Sequence, residues 1–229
     1  MHSMLFDVVQ ERQAQAETLV SPRLKQVEGD VDNLKCGLKA LTDDANGRLG
    51  KLQQFALDSV LDADGYANAL KQWTGKSTAR VVYDSNVCPF TDECLFQKVK
   101  GKPNIAIVAF TTDGDVFGGF YSVAVTEQNK CFKDPEMFIF SFESHGRCAT
   151  PQRFLPKGSA GVWFYAYNWH GWFVRFDGGI GNFFLGNEMS KTFCVGLAWS
   201  FEGLKDMTLS GKGNFENFTC CRLVAIQLE

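Results

Sequence analysis

Asn104-Ile105-Ala106-Ile107-Val108-Ala109-Phe110, followed by Thr111-Thr112-Asp113-Gly114-Asp115-Val116-Phe117-Gly118-Gly119-Phe120-Tyr121, is the densest strand signal in the chain. The first seven residues are an apolar run rich in branched side chains. A second run, Tyr121-Ser122-Val123-Ala124-Val125, follows the glycines. Asp113-Gly114 lies between them, and both residue types accept the positive φ that a tight hairpin turn demands. Gly118-Gly119 marks a bulge or a close approach of another backbone. A buried strand, a turn and a second strand are therefore expected at the centre of a β-sheet core. Nothing in this stretch is catalytic in character.

Outward from this hairpin the pattern stays β. Alternating or apolar segments at 80–85, 137–143, 161–167, 171–176, 182–185, 193–199 and 221–228 are separated by Gly, Asp and Asn. Within it 91–99 reads as a short amphipathic helix, and 67–73, just before the first strand, as a further short helical piece. Many short strands with little helix between them imply a mostly antiparallel sandwich or barrel. The last strand runs to the final residue given.

The N-terminal third is different. Ser21-Pro22 offers an N-cap and a proline at the first helical position. From the residue before it onward, Val20, Leu24, Val27, Val31, Leu34, Leu38, Leu41 and Ala45 recur at alternating steps of four and three. That is a heptad seam, with Leu24, Val31, Leu38 and Ala45 at a and the others at d. In a parallel pair, Arg23 faces Glu28 of the second copy and Asp30 faces Lys35, both attractive. Leu49, Leu52 and Ala56 continue the seam after a stutter. Gly29, Gly37, Gly47 and Gly50 each cost about 1 kcal/mol of helix propensity relative to Ala, so the helix is marginal alone. It pairs with a second copy, giving a homodimer, or folds back on the chain's own globular part. The expected organisation is a helical, coiled-coil region at 1–72 and a β domain at 73–229.

Composition narrows the function classes. The 229 residues are 45% hydrophobic and 14% aromatic, with 21 Phe, enough for a sizeable core. A net charge of −3 argues against a nucleic-acid binder. No run reaches the roughly 18 apolar residues of a membrane span, and 1–20 lacks the apolar core of a secretory signal. A cytoplasmic protein with reduced thiols is expected, although the chain has 8 Cys.

Motifs for chemistry are sparse. Gly75-Lys76-Ser77 resembles the end of a phosphate-binding loop, but Leu70 stands where the first glycine belongs. Asp62-Ala63-Asp64-Gly65 resembles a calcium loop whose first and twelfth positions would be Val60 and Lys71, neither of which supplies a carboxylate. His145-Gly146-Arg147-Cys148 brings a His and a Cys together without the second ligand pair that zinc requires. No third residue can be nominated to orient a Cys/His nucleophile. Cys220-Cys221 point to opposite faces of a strand. No catalytic, cofactor or metal residue is therefore assigned. The run Trp163-Phe164-Tyr165-Ala166-Tyr167-Asn168-Trp169-His170-Gly171-Trp172-Phe173 is the densest aromatic stretch. Trp169 and Trp172 are its candidate ligand-facing rings, against the reading that these aromatics only fill and cover a core.

These residues resemble a known family. The blocks are Val82-Tyr83-Asp84-Ser85, Phe90-Thr91, Leu95-Phe96-Gln97-Lys98-Val99-Lys100-Gly101-Lys102, Asp113-Gly114-Asp115-Val116-Phe117-Gly118-Gly119-Phe120, Phe138-Ile139-Phe140-Ser141-Phe142, and Gly211-Lys212 before Asn214-Phe215. In order and spacing the span from Trp73 to Glu229 resembles the TLDc domain of the oxidation-resistance proteins, in the coiled-coil-bearing form found in amoebae. The resemblance implies an α+β fold: a helical stalk followed by a two-sheet antiparallel sandwich with a few short helices and no established catalytic centre. It also implies a role in oxidative-stress response and, as for several relatives, binding to the vacuolar proton-pumping ATPase. A non-enzymatic interaction protein is thus the first expectation. A glycan-binding or small-molecule-binding sandwich and a thiol-based redox sensor are the alternatives.

Overall fold

The computed structural model of the chain describes residues 12, 23–45, 47, 65–166, 172–186, 192–205 and 207–229. Val20, Trp169, the Ser21-Pro22 cap and the continued seam at Leu49, Leu52 and Ala56 lie outside the described residues. The chain divides into two compact units, Met1–Gln53 and Gln54–Glu229. The described residues of the first include a helix, α1, over residues 23–45.

The described residues of the second unit form twelve strands in two sheets, and every strand pair among them is antiparallel. The first sheet is built from β1 (Ala79–Asp84), β2 (Ile105–Thr111), β3 (Val116–Tyr121), β5 (Phe138–Glu143), β6 (Gln152–Phe154) and β12 (Cys220–Leu228). Its spatial order is β1-β12-β2-β3-β5-β6. The second sheet takes β4 (Cys131–Lys133), β7 (Gly161–Phe164), β8 (Trp172–Asp177), β9 (Asn182–Gly186), β10 (Thr192–Val195) and β11 (Asn217–Phe218) in the order β11-β10-β9-β8-β7-β4. Three short helices accompany them: α2 (Tyr66–Thr74), α3 (Asp92–Val99) and α4 (Leu197–Ser200).

The central hairpin forms as the sequence implies, with one change of register. β2 pairs with β3 from Ile105↔Tyr121 to Phe110↔Val116. The second strand is therefore the glycine-containing stretch itself and ends at Tyr121; the expected run to Val125 is loop. Only Gly114 of the Asp-Gly turn takes positive φ, at 85°. Gly118 and Gly119 mark close approach. A Cβ on Gly118 would strike the Ile107 carbonyl, and one on Gly119 would strike the ring of Phe176 in the facing sheet. The expected strand at 193–199 is also shorter. Gly196 adopts φ 57° and turns the chain into α4. β4, β6 and β11, each two or three residues long, carry no periodic signal and were not expected from sequence.

One core fills the space between the sheets. Ile105, Ile107, Ala109, Phe117 and Leu223 from the first sheet meet Val162, Phe164, Phe176, Phe183 and Leu185 from the second. A second apolar cluster lies on the outer face of the first sheet, where Ala67, Leu70 and Trp73 of α2 cover Val108, Phe138, Phe140 and Ile226. Trp73 meets Phe138 edge-on at 6.0 Å and stacks near Phe142 at 5.8 Å. The boundary expected between residues 72 and 73 falls inside this helix, whose buried face is part of the β unit.

Candidate functional site

The outer face of the second sheet has no counterpart to α2 among the described elements. Its side chains follow from the period of two. In β7, Val162 and Phe164 enter the core and Trp163 faces out. In β8, Val174 and Phe176 face in while Arg175 and Asp177 face out. A register shift between Trp172 and Val174 lets Phe173 enter the core and still places Trp172 against the outward Phe184. Phe184 of β9 and Phe193 of β10 are outward as well, because Phe183 and Cys194 are core residues.

Register lines these positions up. Trp163 lies directly opposite Arg175, Arg175 opposite Phe184, and Phe184 opposite Phe193. Ring contacts then run without a gap across the face. Tyr165–Trp172 centroids are 5.6 Å apart, Trp172–Phe184 4.6 Å, Phe184–Phe193 4.7 Å and Phe193–Phe215 5.8 Å. Trp163, Trp172 and Phe193 are half-buried, and Phe215 is exposed.

The polar groups on this face are few. The Arg175 guanidinium lies 5.1 Å from the Trp163 ring and 5.5 Å from Phe184, a cation between two π faces. It donates to Asp177, whose other oxygen accepts from Gly179 N at 2.7 Å. Burial pushes the Tyr165 hydroxyl up, and its hydrogen bond to Arg175 opposes that shift. Trp163 Nε1, Arg175 Nε and Asn182 Oδ1 are enclosed and make no hydrogen bond among the described residues. Of the two expected ligand-facing rings, Trp172 sits at the centre of this array. Trp163, Arg175, Phe184 and Phe193 were not nominated from sequence, since only register brings them beside Trp172.

The heptad seam occupies α1. Leu24, Val27, Val31, Leu34, Leu38 and Leu41 are 41–73% exposed, and Ala45 is exposed too. The exposed Lys35–Asp32 ion pair, at 3.4 Å, contributes at most a few tenths of a kcal/mol.

His145 and Cys148 do not face one another through any described hydrogen bond. His145 Nδ1 instead lies 2.8 Å from Asp115 Oδ1, and Cys148 Sγ lies 3.4 Å from Ser144 Oγ. Asp115 is buried, and Arg147 also donates to it while holding the Leu209 carbonyl at 3.0 Å. Lys212 pairs with Asp113 at 2.9 Å on the same hairpin loop. The cluster ties the β2–β3 turn to the 144–148 and 207–212 loops. A histidine oriented by an aspartate needs a nucleophile on its far nitrogen to act as a base, and none is in contact with it among the described residues.

The thiols differ sharply in setting. Cys36 and Cys221 are exposed, whereas Cys194 is buried and its thiol is pushed up to about 12 by that burial. Cys94 is raised by burial and then by the neighbouring Cys88 thiol. Since the thiolate is the reactive form, these shifts oppose reactivity at Cys94 and Cys194. Among the described residues, no group of three His, Cys, Asp or Glu side chains is placed to hold a metal ion, and no helix is long and apolar enough to cross a membrane.

Comparison with known proteins agrees with the architecture. The sequence model of the TLDc domain matches residues 65–170, a span that begins at the turn into α2 and extends past β7. No curated protein matches the chain. Residues 65–170 thus match the TLDc domain family, and the chain is similar to TLDc-domain proteins over that span.

Proposed function

We propose that the protein is a non-enzymatic interaction module: a TLDc domain presented on a helix that self-associates as a parallel coiled coil. The observation that carries this reading is the α1 stripe, where six apolar residues at alternating steps of three and four stand 41–73% exposed. A stripe of that kind, on a helix carrying glycines at 29 and 37 and so marginal alone, is removed from water by packing on another apolar surface, and the heptad spacing favours a second copy of itself. A second copy satisfies the seam with itself and brings Arg23 to Glu28 and Asp30 to Lys35.

The TLDc match supports a place in oxidative-stress response, and a cytoplasmic location is part of the same proposal. The same resemblance makes subunits of the vacuolar proton-pumping ATPase the first partners to seek. Light scattering after gel filtration tests the assembly. The full chain is expected to run as a dimer, and Leu34→Gln with Leu38→Gln as a monomer with an unchanged β circular-dichroism signal. A double variant that remains dimeric removes the seam as the interface. Affinity capture with pump subunits, with and without residues 1–64, which leaves α2 intact, tests the partner. Retention by both forms assigns binding to the β domain.

A further inference from the structure

We infer that Cys88 and Cys94 form a thiol pair that peroxide oxidises to a reversible intramolecular disulfide. The pair is independent of the α1 seam, and it gives the proposed place in oxidative-stress response a chemical event on this chain.

The connection from β1 to α3 brings the two sulfurs together. Cys88 N donates to the Asp84 carbonyl at 2.8 Å, which turns the chain back at the end of β1. Thr91 N and the Tyr83 hydroxyl both donate to the Pro89 carbonyl, at 2.9 and 3.1 Å, and pin the loop against the strand. The Thr91 hydroxyl then caps α3 by accepting from Cys94 N. Cys94 thus sits in the first turn of a helix anchored in the core by Leu95, Phe96 and Val99. Cys88, Phe90 and Cys94 pack against that same core, and the Cys94 and Cys88 thiols are hydrogen-bonded to each other. At Cys148, Cys194 and Cys221 the hydrogen-bond partner is an oxygen, of Ser144, Ser210 and the Phe110 carbonyl.

Both cysteines are half-buried, within reach of a small oxidant, whereas Cys194 is buried. Burial, and then the Cys88 thiol, raise the Cys94 thiol and keep it protonated, so Cys88 takes the first step. Its thiolate attacks one peroxide oxygen. An S–O bond forms, the O–O bond breaks, and the departing hydroxide leaves as water with the proton Cys88 gave up. The Cys94 sulfur then attacks the sulfenic acid on Cys88. The S–S bond forms, the S–O bond breaks, and the oxygen leaves as water with the Cys94 proton. Two thiols are oxidised and one peroxide is reduced to two waters. An uncharged sulfenic acid at Cys88 also removes one of the groups that raise Cys94 before the second step. Pro89, Thr91 and Glu93 between the cysteines are exposed, so the loop can absorb the approach to an S–S bond of about 2.05 Å. A dithiol reverses the bond by exchange.

Treatment of the full chain with hydrogen peroxide, then maleimide alkylation and tryptic mass spectrometry without reductant, tests the pair. Arg80 and Lys98 bound a single tryptic peptide, residues 81–98, that carries both cysteines. It is expected to lose both alkylation sites and to appear lighter by two hydrogens than the reduced peptide, and dithiothreitol is expected to restore both sites. In Cys94→Ser, peroxide with dimedone is expected to trap the sulfenic acid on Cys88; in Cys88→Ser, Cys94 is expected to stay alkylatable. Circular dichroism and thermal melts establish that each variant is folded. A peptide 81–98 that stays fully alkylated while other cysteines oxidise overturns the proposal. So does a disulfide from Cys88 or Cys94 to another cysteine or to a second copy. A dimedone adduct on Cys94 of Cys88→Ser, with none on Cys88 of Cys94→Ser, overturns the order of the two steps.

Discussion

Glu143 ends β5 with its side chain turned back on its own chain, where Oε1 accepts from Ser144 N and His145 N, each at 2.8 Å. These donors, His145 first, hold its carboxyl below the ordinary range. They also explain how His145 tolerates φ 49°, a left-handed conformation unusual outside glycine. A carboxylate depressed by folding adds stability above its unfolded pKa and loses it as pH falls through the folded one. The contribution should therefore fade below the ordinary carboxylate range, on the acid side only. Glu143→Gln is expected to lower the melting temperature slightly near neutrality and to flatten its acid decline, so that variant and wild type converge. Melts taken from about pH 7 down to about pH 3 check this, and parallel curves would contradict it. At the same scale, Gly119 shows that an absent side chain can set the spacing of two sheets. Its Cβ position is occupied by the Phe176 ring, so sheet separation and ring placement are fixed together.

Among the elements, α2 illustrates how a nine-residue helix too short to persist alone is kept by what it covers. Gly65 and Gly75 bracket it with φ near 70°. Its inward face places Leu70, fully buried, and Trp73 over the aromatic ladder Phe138, Phe140 and Phe142 of β5. Leu70→Ala removes a buried side chain from a site with rigid rings on one side, and is expected to cost about 2–5 kcal/mol. The shift in urea midpoint at constant slope measures it. α3 is specified more locally. Thr91 accepts from Cys94 N at 3.2 Å, and Asp92 and Glu93 occupy the first turn, where they favour the positive end of the helix dipole. That cap lets the sequence place α3 to within a residue; α2, without a capping side chain, is still legible as the short helical piece at 67–73, one residue short at each end.

In the β unit as a whole, chain order and spatial order diverge at β12. The last strand inserts between β1 and β2, pairing Val81↔Ile226 on one side and Val108↔Val224 on the other. The Glu229 carbonyl accepts from Ser77 N and Thr78 N, both at 2.8 Å. Arg222 on the same strand holds the buried Asp84 through two hydrogen bonds, at 3.1 and 2.7 Å. The span 65–170 that matches the TLDc domain therefore lacks the strand that joins β1 to the rest of the first sheet, and lacks β8 beside β7. A fragment of residues 65–170 is expected to be unfolded, while 65–229 folds cooperatively. Amide dispersion in a two-dimensional NMR spectrum distinguishes them, and a dispersed spectrum from the shorter piece would refute the expectation.

Local information was enough for the β2–β3 hairpin, for α3, for the strands from β5 to β12 that span more than three residues, and for the heptad spacing of α1, because each rests on side-chain periodicity or a cap within a few residues. It was also enough to single out Trp172 as an aromatic on a strand. Register lies beyond the reach of such patterns. The neighbours of Trp172 come from β9 and β10, and Arg175 reaches Trp163 only because β7 and β8 pair at one offset among several that the alternation permits. The Asp115–His145–Arg147 cluster likewise joins residues thirty or more positions apart through one hairpin turn. Periodicity along the chain tells which face a side chain takes; only the pairing of strands, set by the packing of two whole sheets, decides what stands beside it there.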